Sequence, residues 1–313
     1  MVLSHLNDKR IMKNYILFSF LVITKICVSQ QLPISSLYYW NNYLINPAST
    51  GHENNNIIQA SSRFQWSGLN GAPQTHFFGG HGLIGKTGIG GAIISDGLNG
   101  NFNQLTALLN YSYFLQMDRY SGISFGISSV MSQYSFNGLD MELTSYDPAL
   151  NVVSNQLIPD VNIGVMYKYM DLLKIGISVN QLLQSKLTDF NDIAEGEDRN
   201  KLVRQYNFLG SYKAYLRKDL AIEFYSTLRT VLSSPLQAEI GSRFISNDQA
   251  SFGLGYRTSD AVLLLFAFEF DKFHVNYNMD ITTSKLSDYS LGTHEVMLGF
   301  KFGKSRKPRT YFR

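Results

Sequence analysis

The chain has 313 residues, 44% of them hydrophobic, 13% aromatic and only 16% charged, with 25 glycines, 7 prolines and a single cysteine. That balance excludes a disordered chain and a disulfide-built scaffold, and a formal charge of +3 implies no nucleic-acid partner. Past residue 30 no apolar run approaches the roughly 18 residues a spanning helix needs, a test that a membrane barrel escapes.

Residues 1–29 read as an export signal. Lys9, Arg10 and Lys13 precede the apolar run from Tyr15 to Ile23, and Cys27-Val28-Ser29 offers small residues for cleavage after Ser29. Cleavage would remove the cysteine, and with it thiol catalysis and zinc–thiolate sites. It would also take four of the 27 basic and one of the 24 acidic residues, leaving no net charge. Residues 30–56 form a lead-in. Its core, YYWNNYLINPASTG over 38–51, is aromatic and Asn-rich, does not alternate and is broken at Asn46-Pro47. It is expected to be ordered, not a strand, and a candidate plug for whatever follows.

From 57 to 302 the sequence alternates between apolar and polar with a period of two, the signature of strands. Fourteen are predicted, at 57–65, 74–83, 87–94, 105–116, 122–131, 161–169, 173–181, 205–216, 220–229, 236–244, 251–257, 261–270, 273–280 and 295–302. The pattern is clearest in 205–244, where Phe208, Tyr212, Ile222, Phe224 and Ile240 oppose Asn207, Lys213, Glu223, Arg229, Glu239 and Arg243. Alternation alone fits a soluble sheet or a lipid-facing barrel.

The connections decide between them. Even-numbered strands are followed by tight turns, at 84–86, 117–121, 170–172, 217–219, 246–250 and 271–272. Odd-numbered strands can be followed by long excursions, at 132–160, 182–204 and 281–294. Such parity is expected of an outer-membrane barrel, with short periplasmic turns and longer outer loops. The fold class is therefore all-β, an antiparallel transmembrane outer-membrane β-barrel of about 14 strands with its charged strand faces inward. Both termini would be periplasmic, including a basic tail over 303–313. Phe300 and Phe302 should face lipid, and Arg63 the lumen, where Glu223, Glu239 or Glu295 could pair with it.

Three motifs could mislead. Gly80-His81-Gly82-Leu83-Ile84-Gly85-Lys86-Thr87 spells a phosphate-binding loop, but the β-branched, glycine-rich run after Thr87 starts no helix, so a hairpin turn and no nucleotide are expected. Gly122-Ile123-Ser124-Phe125-Gly126 spells a nucleophile elbow within a strand and not at its end, and its glycines read as small lumen positions. His274, Asp280 and His294 could be combined with a serine, yet nothing in the sequence brings them together. No His pair has metal spacing on one face, His76 and His81 read as ordinary strand residues, and the acidic run Asp192, Glu195, Glu197, Asp198 reads as a solvated loop. A non-enzymatic protein without cofactors is expected.

Two stretches go beyond a generic barrel. One is Asn46-Pro47-Ala48, Gly51, Arg63-Phe64-Gln65-Trp66 and Gly71-Ala72-Pro73-Gln74-Thr75; the other is His294-Glu295-Val296-Met297-Leu298-Gly299-Phe300-Lys301-Phe302. With Gly255-Tyr256-Arg257-Thr258-Ser259-Asp260-Ala261 between them, the chain resembles the PorP/SprF family of Bacteroidetes outer-membrane proteins of type IX secretion and gliding motility. The resemblance covers nearly the whole mature chain. It implies a barrel in outer-membrane lipid that either retains a secreted adhesin at the cell surface or contacts the periplasmic lipoprotein ring of the secretion machinery. It carries no catalytic residues. A channel for small solutes or lipids is the other reading. Read as residues, Trp66 suits an interfacial girdle, Pro73 ends a tight loop, and the motif as a whole supports a lead-in folded into the barrel mouth. Tyr134, Phe136, Met141, Tyr146, Leu157, Phe190, Glu195 and Glu197 are expected as surface anchors on the two longest loops.

Overall fold

Fourteen strands close on themselves in the computed structural model, which describes residues 36–53, 55–98, 101–137, 153–187, 201–232 and 234–303. They are β1 (Asn56–Phe64), β2 (Gln74–Ile84), β3 (Thr87–Leu98), β4 (Phe102–Gln116), β5 (Ser121–Asn137), β6 (Val153–Tyr169) and β7 (Leu173–Asn180). Then follow β8 (Gln205–Arg217), β9 (Leu220–Val231), β10 (Gln237–Ser246), β11 (Ala250–Arg257), β12 (Ala261–Phe270), β13 (Phe273–Thr282) and β14 (Thr293–Phe302). Each strand pairs antiparallel with its sequence neighbours, and β1 pairs with β14 from Asn56 opposite Phe302 to Phe64 opposite His294. Closure leaves no free edge, which a sheet in hydrocarbon requires.

The barrel is turned inside out relative to a soluble protein. Along β13, Phe273 and Val275 are exposed while His274, Asn276, Asn278 and Asp280 are each 4% exposed or less. The same inversion holds on β14, where Val296, Leu298, Phe300 and Phe302 face outward around buried Glu295 and Met297. A soluble fold hides its apolar face; here the apolar face is the outer one, as lipid demands. The turn parity also stands: one rim carries only connections of two to four residues, and every longer one is on the opposite rim, where the connections after β3 and β11 are also short, at three residues each. Residues 85–86 make the β2–β3 hairpin, with Gly85 at φ +64 and Ile84 opposite Thr87, so the phosphate-loop spelling is a turn with no helix behind it.

The predicted strands are all present, but the expected excursion at 132–160 is largely strand. β5 and β6 run paired as far as Asn137 opposite Val153, well past the other strands. Alternation fades there because polar residues such as Gln133, Ser135 and Asn155 stand on the outer face. Tyr134, expected as a surface anchor, instead points inward and packs with Ile158, Leu187 and Leu202. Leu157 is exposed as expected. Met141, Tyr146, Phe190, Glu195 and Glu197 lie outside the described residues, as do the proposed signal, the acidic run and residues 304–313.

Candidate functional site: the occupied lumen

Inside the barrel lie residues 36–53, built from short 3-10 turns at Ser36–Tyr39, Asn42–Leu44 and Pro47–Ser49. A chain without α-helix or strand leaves many backbone groups unpaired, and burying them is costly unless the wall supplies partners. It does. Asn110 Nδ2 donates to Tyr43 O at 2.7 Å, Ser178 Oγ to Ile45 O at 2.9 Å and Ser112 Oγ to Thr50 O at 2.8 Å. Lys168 Nζ donates to His52 O at 3.2 Å, and Gly51 N donates to His81 Nδ1 at 3.0 Å.

Asn46 is the pivot. Its Oδ1 accepts from Ala48 N at 3.0 Å and so starts the Pro47 turn, while its Nδ2 donates to the carbonyls of Val165 on β6 and Ile177 on β7 at 3.1 and 3.2 Å. Glycines make room for it. A Cβ at Gly164 would lie 2.0 Å from Asn46 Oδ1, and one at Gly126 2.2 Å from Ala48 N. Around these contacts sit two apolar clusters: Tyr43 with Phe77, Ala92 and Leu108, and Ile45 and Ala48 with Met166 and Leu209. All five wall residues are apolar positions on otherwise polar inward faces.

Aromatic side chains continue the fit. The Arg229 guanidinium lies over the Tyr38 ring at 4.5 Å, and that of Arg243 over Tyr39 and Trp40 at 4.9 and 5.5 Å, geometry suited to cation–π attraction. Burial pushes the phenols of Tyr38, Tyr39 and Tyr43 up. Burial, reinforced by Lys168 and Lys174, pulls the His52 imidazole down to about 3. His52 Nε2 meets Ser124 Oγ at 2.5 Å, which revives the nucleophile spelling around Ser124. His52 Nδ1, however, has no hydrogen-bond partner among the described residues, so no carboxylate orients the ring as a triad would. The pair joins segment to wall. Asp280 and His294 point to opposite faces, His294 bonding Tyr277 OH at 2.7 Å on the outside, so the other paper triad is not assembled.

The predicted site residues fall into two places. Asn46, Pro47, Ala48 and Gly51 are in the lumen segment, Gly51 at φ +78 against the backbone of Gly82 and Gly88. Arg63, Gln65, Trp66, Gly71, Pro73, Thr75, His294 and Glu295 gather at the rim opposite the short turns. There Gln65 N donates to Pro73 O, Trp66 N to Thr293 Oγ1 and Ser67 N to Gly292 O, which ties the β1–β2 connection to the β13–β14 connection. Gly71 takes φ +72, and Thr75 Oγ1 donates to Asp96 Oδ1 at 2.5 Å.

Arg63 faces the lumen and bonds Glu295, one of its three predicted partners, at 3.1 Å; Glu223 pairs instead with Arg243, and Glu239 with Arg257. Its second partner is Asp280, at 3.0 Å, which also holds Arg257 at 2.9 Å. Thus Arg63 and Arg257, from the first and middle of the distinctive stretches, converge on Asp280, and Glu295 of the last stretch joins them through Arg63; the sequence offered Asp280 only as a triad member, not as a partner of Arg63. Only the inward parity of Asp280 on β13 could have suggested it.

Residues 27–300 match the family described as the type IX secretion system membrane protein PorP/SprF. The chain belongs to the PorP/SprF family. No curated protein matches it in sequence. Among solved structures it is similar to the CymD monoaromatic hydrocarbon channel, at TM-score 0.53 and 8% identity over 89% of this chain and 96% of that one. It is also similar to the P. putida toluene transporter TodX, at TM-score 0.51 and 10% identity over 83% and 93%. At such identities the likeness concerns the barrel alone, and with the family it places this PorP/SprF member among outer-membrane β-barrels.

Proposed function

We propose that this PorP/SprF barrel serves type IX secretion as a non-enzymatic docking and anchoring partner, retaining a secreted adhesin at the cell surface or contacting the periplasmic lipoprotein ring. The observation that carries the reading is the occupied lumen: Ala48, Asn46 and Thr50 are fully buried at its centre, held by the Ser112 hydroxyl of β4 and by backbone carbonyls of β6 and β7. A lumen built around its own chain suits a platform better than an open pore. On this reading residues 30–56 form the plug and the short-turn rim, where β1 starts and β14 ends, faces the periplasm. The extended β5–β6 hairpin then stands on the outer side, where strand-mounted loops commonly bind partners.

A channel for small solutes or lipids is the second reading. It is favoured by the two structural neighbours, a hydrocarbon channel and a toluene transporter, and by a cavity left beside the lumen segment. Deleting Asn191–Asn200 from the chromosomal copy separates the two. Release of a surface protein into the medium, from cells whose barrel is still assembled, supports anchoring. Full retention, together with liposomes made permeable to small solutes by the intact protein, overturns it in favour of the channel.

A further inference from the structure

Closure leaves no edge where neighbouring strands keep pace, but β6 outruns β7. β7 stays beside it only as far as Val179 opposite Ile163, and one further backbone bond follows, from Leu182 N to Val161 O at 3.0 Å. The chain then bends inward, where Leu187 and Leu202 pack with Tyr134 and Ile158. β6 itself extends to Val153, covered on its other side by β5 throughout.

Successive residues of an antiparallel strand turn their backbone groups to opposite sides, so the bond at Val161 fixes which ones face the uncovered side: Pro159, Leu157, Asn155 and Val153. Pro159 has no N–H to satisfy, and its carbonyl accepts from Ser185 Oγ at 2.6 Å. The backbone N–H and C=O groups of Val153, Asn155 and Leu157 have no partner on that side among the described residues. Val153 and Leu157 also turn apolar side chains outward, 63% and 65% exposed. Bare edges are commonly guarded by charge, yet from Val153 to Val161 the strand carries only Asp160, which is buried. An unguarded edge of this kind is a template for another strand.

A second copy of the barrel does not supply that strand. Two barrels in one membrane are related by an axis along its normal, so their β6 strands run the same way and present the same residues at the same height. A parallel ladder needs those residues offset by one. We propose that an extended segment of the secreted surface protein pairs with this edge of β6, adding a strand above β7. Its backbone meets the open groups of Val153, Asn155 and Leu157, and apolar side chains at alternate positions lie beside Val153 and Leu157. The inference rests on the docking reading, in its surface form, and names the contact.

Two measurements test it. Hydrogen exchange, read residue by residue, compares the barrel purified alone with the barrel purified from native membranes together with what it retains. Alone, the amides of Asn155 and Leu157 should exchange freely, while those of Ser154 and Gln156, which face β5, are protected; in the native assembly Asn155 and Leu157 should slow at least about tenfold. In cells, Leu157→Pro removes an N–H that only the added strand uses and sets a ring in its way, as Pro159 does two residues on, whereas Leu157→Val keeps the edge intact. Leu157→Pro should release a surface protein into the medium and Leu157→Val should not, with both barrels heat-modifiable on gels. Unchanged exchange of Asn155 and Leu157 in the native assembly overturns the proposal even if Leu157→Pro fails to assemble. Protection of both in the isolated barrel also overturns it, because the chain would then cover its own edge. If deleting Asn191–Asn200 releases a surface protein and an assembled Leu157→Pro barrel does not, the edge proposal alone falls; if neither does, the docking reading falls with it.

Discussion

Arg63 on β1 and Asp280 on β13 are bonded at 3.0 Å although β14 lies between their strands. The same Asp280 oxygen accepts from Arg257 on β11 at 2.9 Å, so one carboxylate spans the seam where the barrel closes. Glu295, Glu239 and Asp260 complete the cluster, which holds two guanidiniums against four carboxylates.

That imbalance sets an order of sensitivity. Losing a guanidinium leaves buried acids facing one another, whereas losing one acid relieves excess charge. Arg257→Met should therefore destabilise the barrel by about 3–5 kcal/mol, the usual cost of breaking a buried pair from one side. Asp280→Asn, which keeps the shape and two polar atoms, should cost about 1.5 kcal/mol or less. Urea unfolding of both variants in lipid vesicles checks the order, and a larger loss for Asp280→Asn would refute the charge argument.

The close approach of wall and lumen segment gives a second prediction. A side chain at Gly126 would meet the backbone of Ala48 and Pro47 at 2.2 and 2.3 Å, where nothing flexible can give way. Gly126→Val should unseat residues 36–53 without opening the barrel seam, and single-channel conductance in planar bilayers should rise. Gly210→Ala, whose added carbon meets the side chains of Ser226 at 3.2 Å and Phe208 at 3.4 Å and no part of the lumen segment among these nearest atoms, should leave conductance unchanged. Equal conductance in the two variants would mean that the segment does not seal the lumen.

Much of this architecture was legible in the residues, because lipid outside and polar lumen inside impose a strict two-residue period. That Arg63 faces the lumen followed from parity, which left Glu223, Glu239 and Glu295 open as partners, and the structure pairs it with Glu295. The ends of β5 and β6 did not follow from parity, since beyond the hydrocarbon nothing forces outward side chains to be apolar and the period dissolves. The seat of the lumen segment left a subtler trace: Phe77, Leu108, Met166 and Leu209 are apolar residues on inward faces. Gly126 marks where its backbone presses close, and Gly164 and Gly176 where the Asn46 side chain does. Asp280 could not be singled out, because its importance comes from three strands meeting around it.

Acid should loosen the seated segment. His52 packs on Ser124 with its pKa held down to about 3, against about 6.5 for an unfolded imidazole. An imidazole depressed in this way contributes stability that is complete above pH 6.5 and is lost as pH falls toward 3, since the released form binds the proton first. Lys168, which donates to His52 O, opposes the new charge. Conductance should therefore climb on acidification from pH 7 to 4, and His52→Gln should flatten that dependence. An unchanged acid response in His52→Gln would assign it to the lumen carboxylates instead.

The outer face of β14 yields a prediction graded by depth. Phe300 lies two residues from the end of the strand on the short-turn side, opposite Ile58 and Phe273, whose ring centroid is 5.2 Å from its own. Leu298 is opposite Ala60 and Val275, nearer the middle of the strand, and is 57% exposed on the apolar face. An arginine facing lipid costs about 2–4 kcal/mol at the midplane and about 0–1 near an interface, where its side chain can reach water. Leu298→Arg should thus lower stability by the larger amount and reduce the heat-modifiable fraction on gels, while Phe300→Arg should assemble nearly normally. The contrast tests both the outward assignment and the height of the membrane. Equal tolerance would place Leu298 outside the hydrocarbon, and a heavier penalty at Phe300 would shift the bilayer toward the short-turn rim.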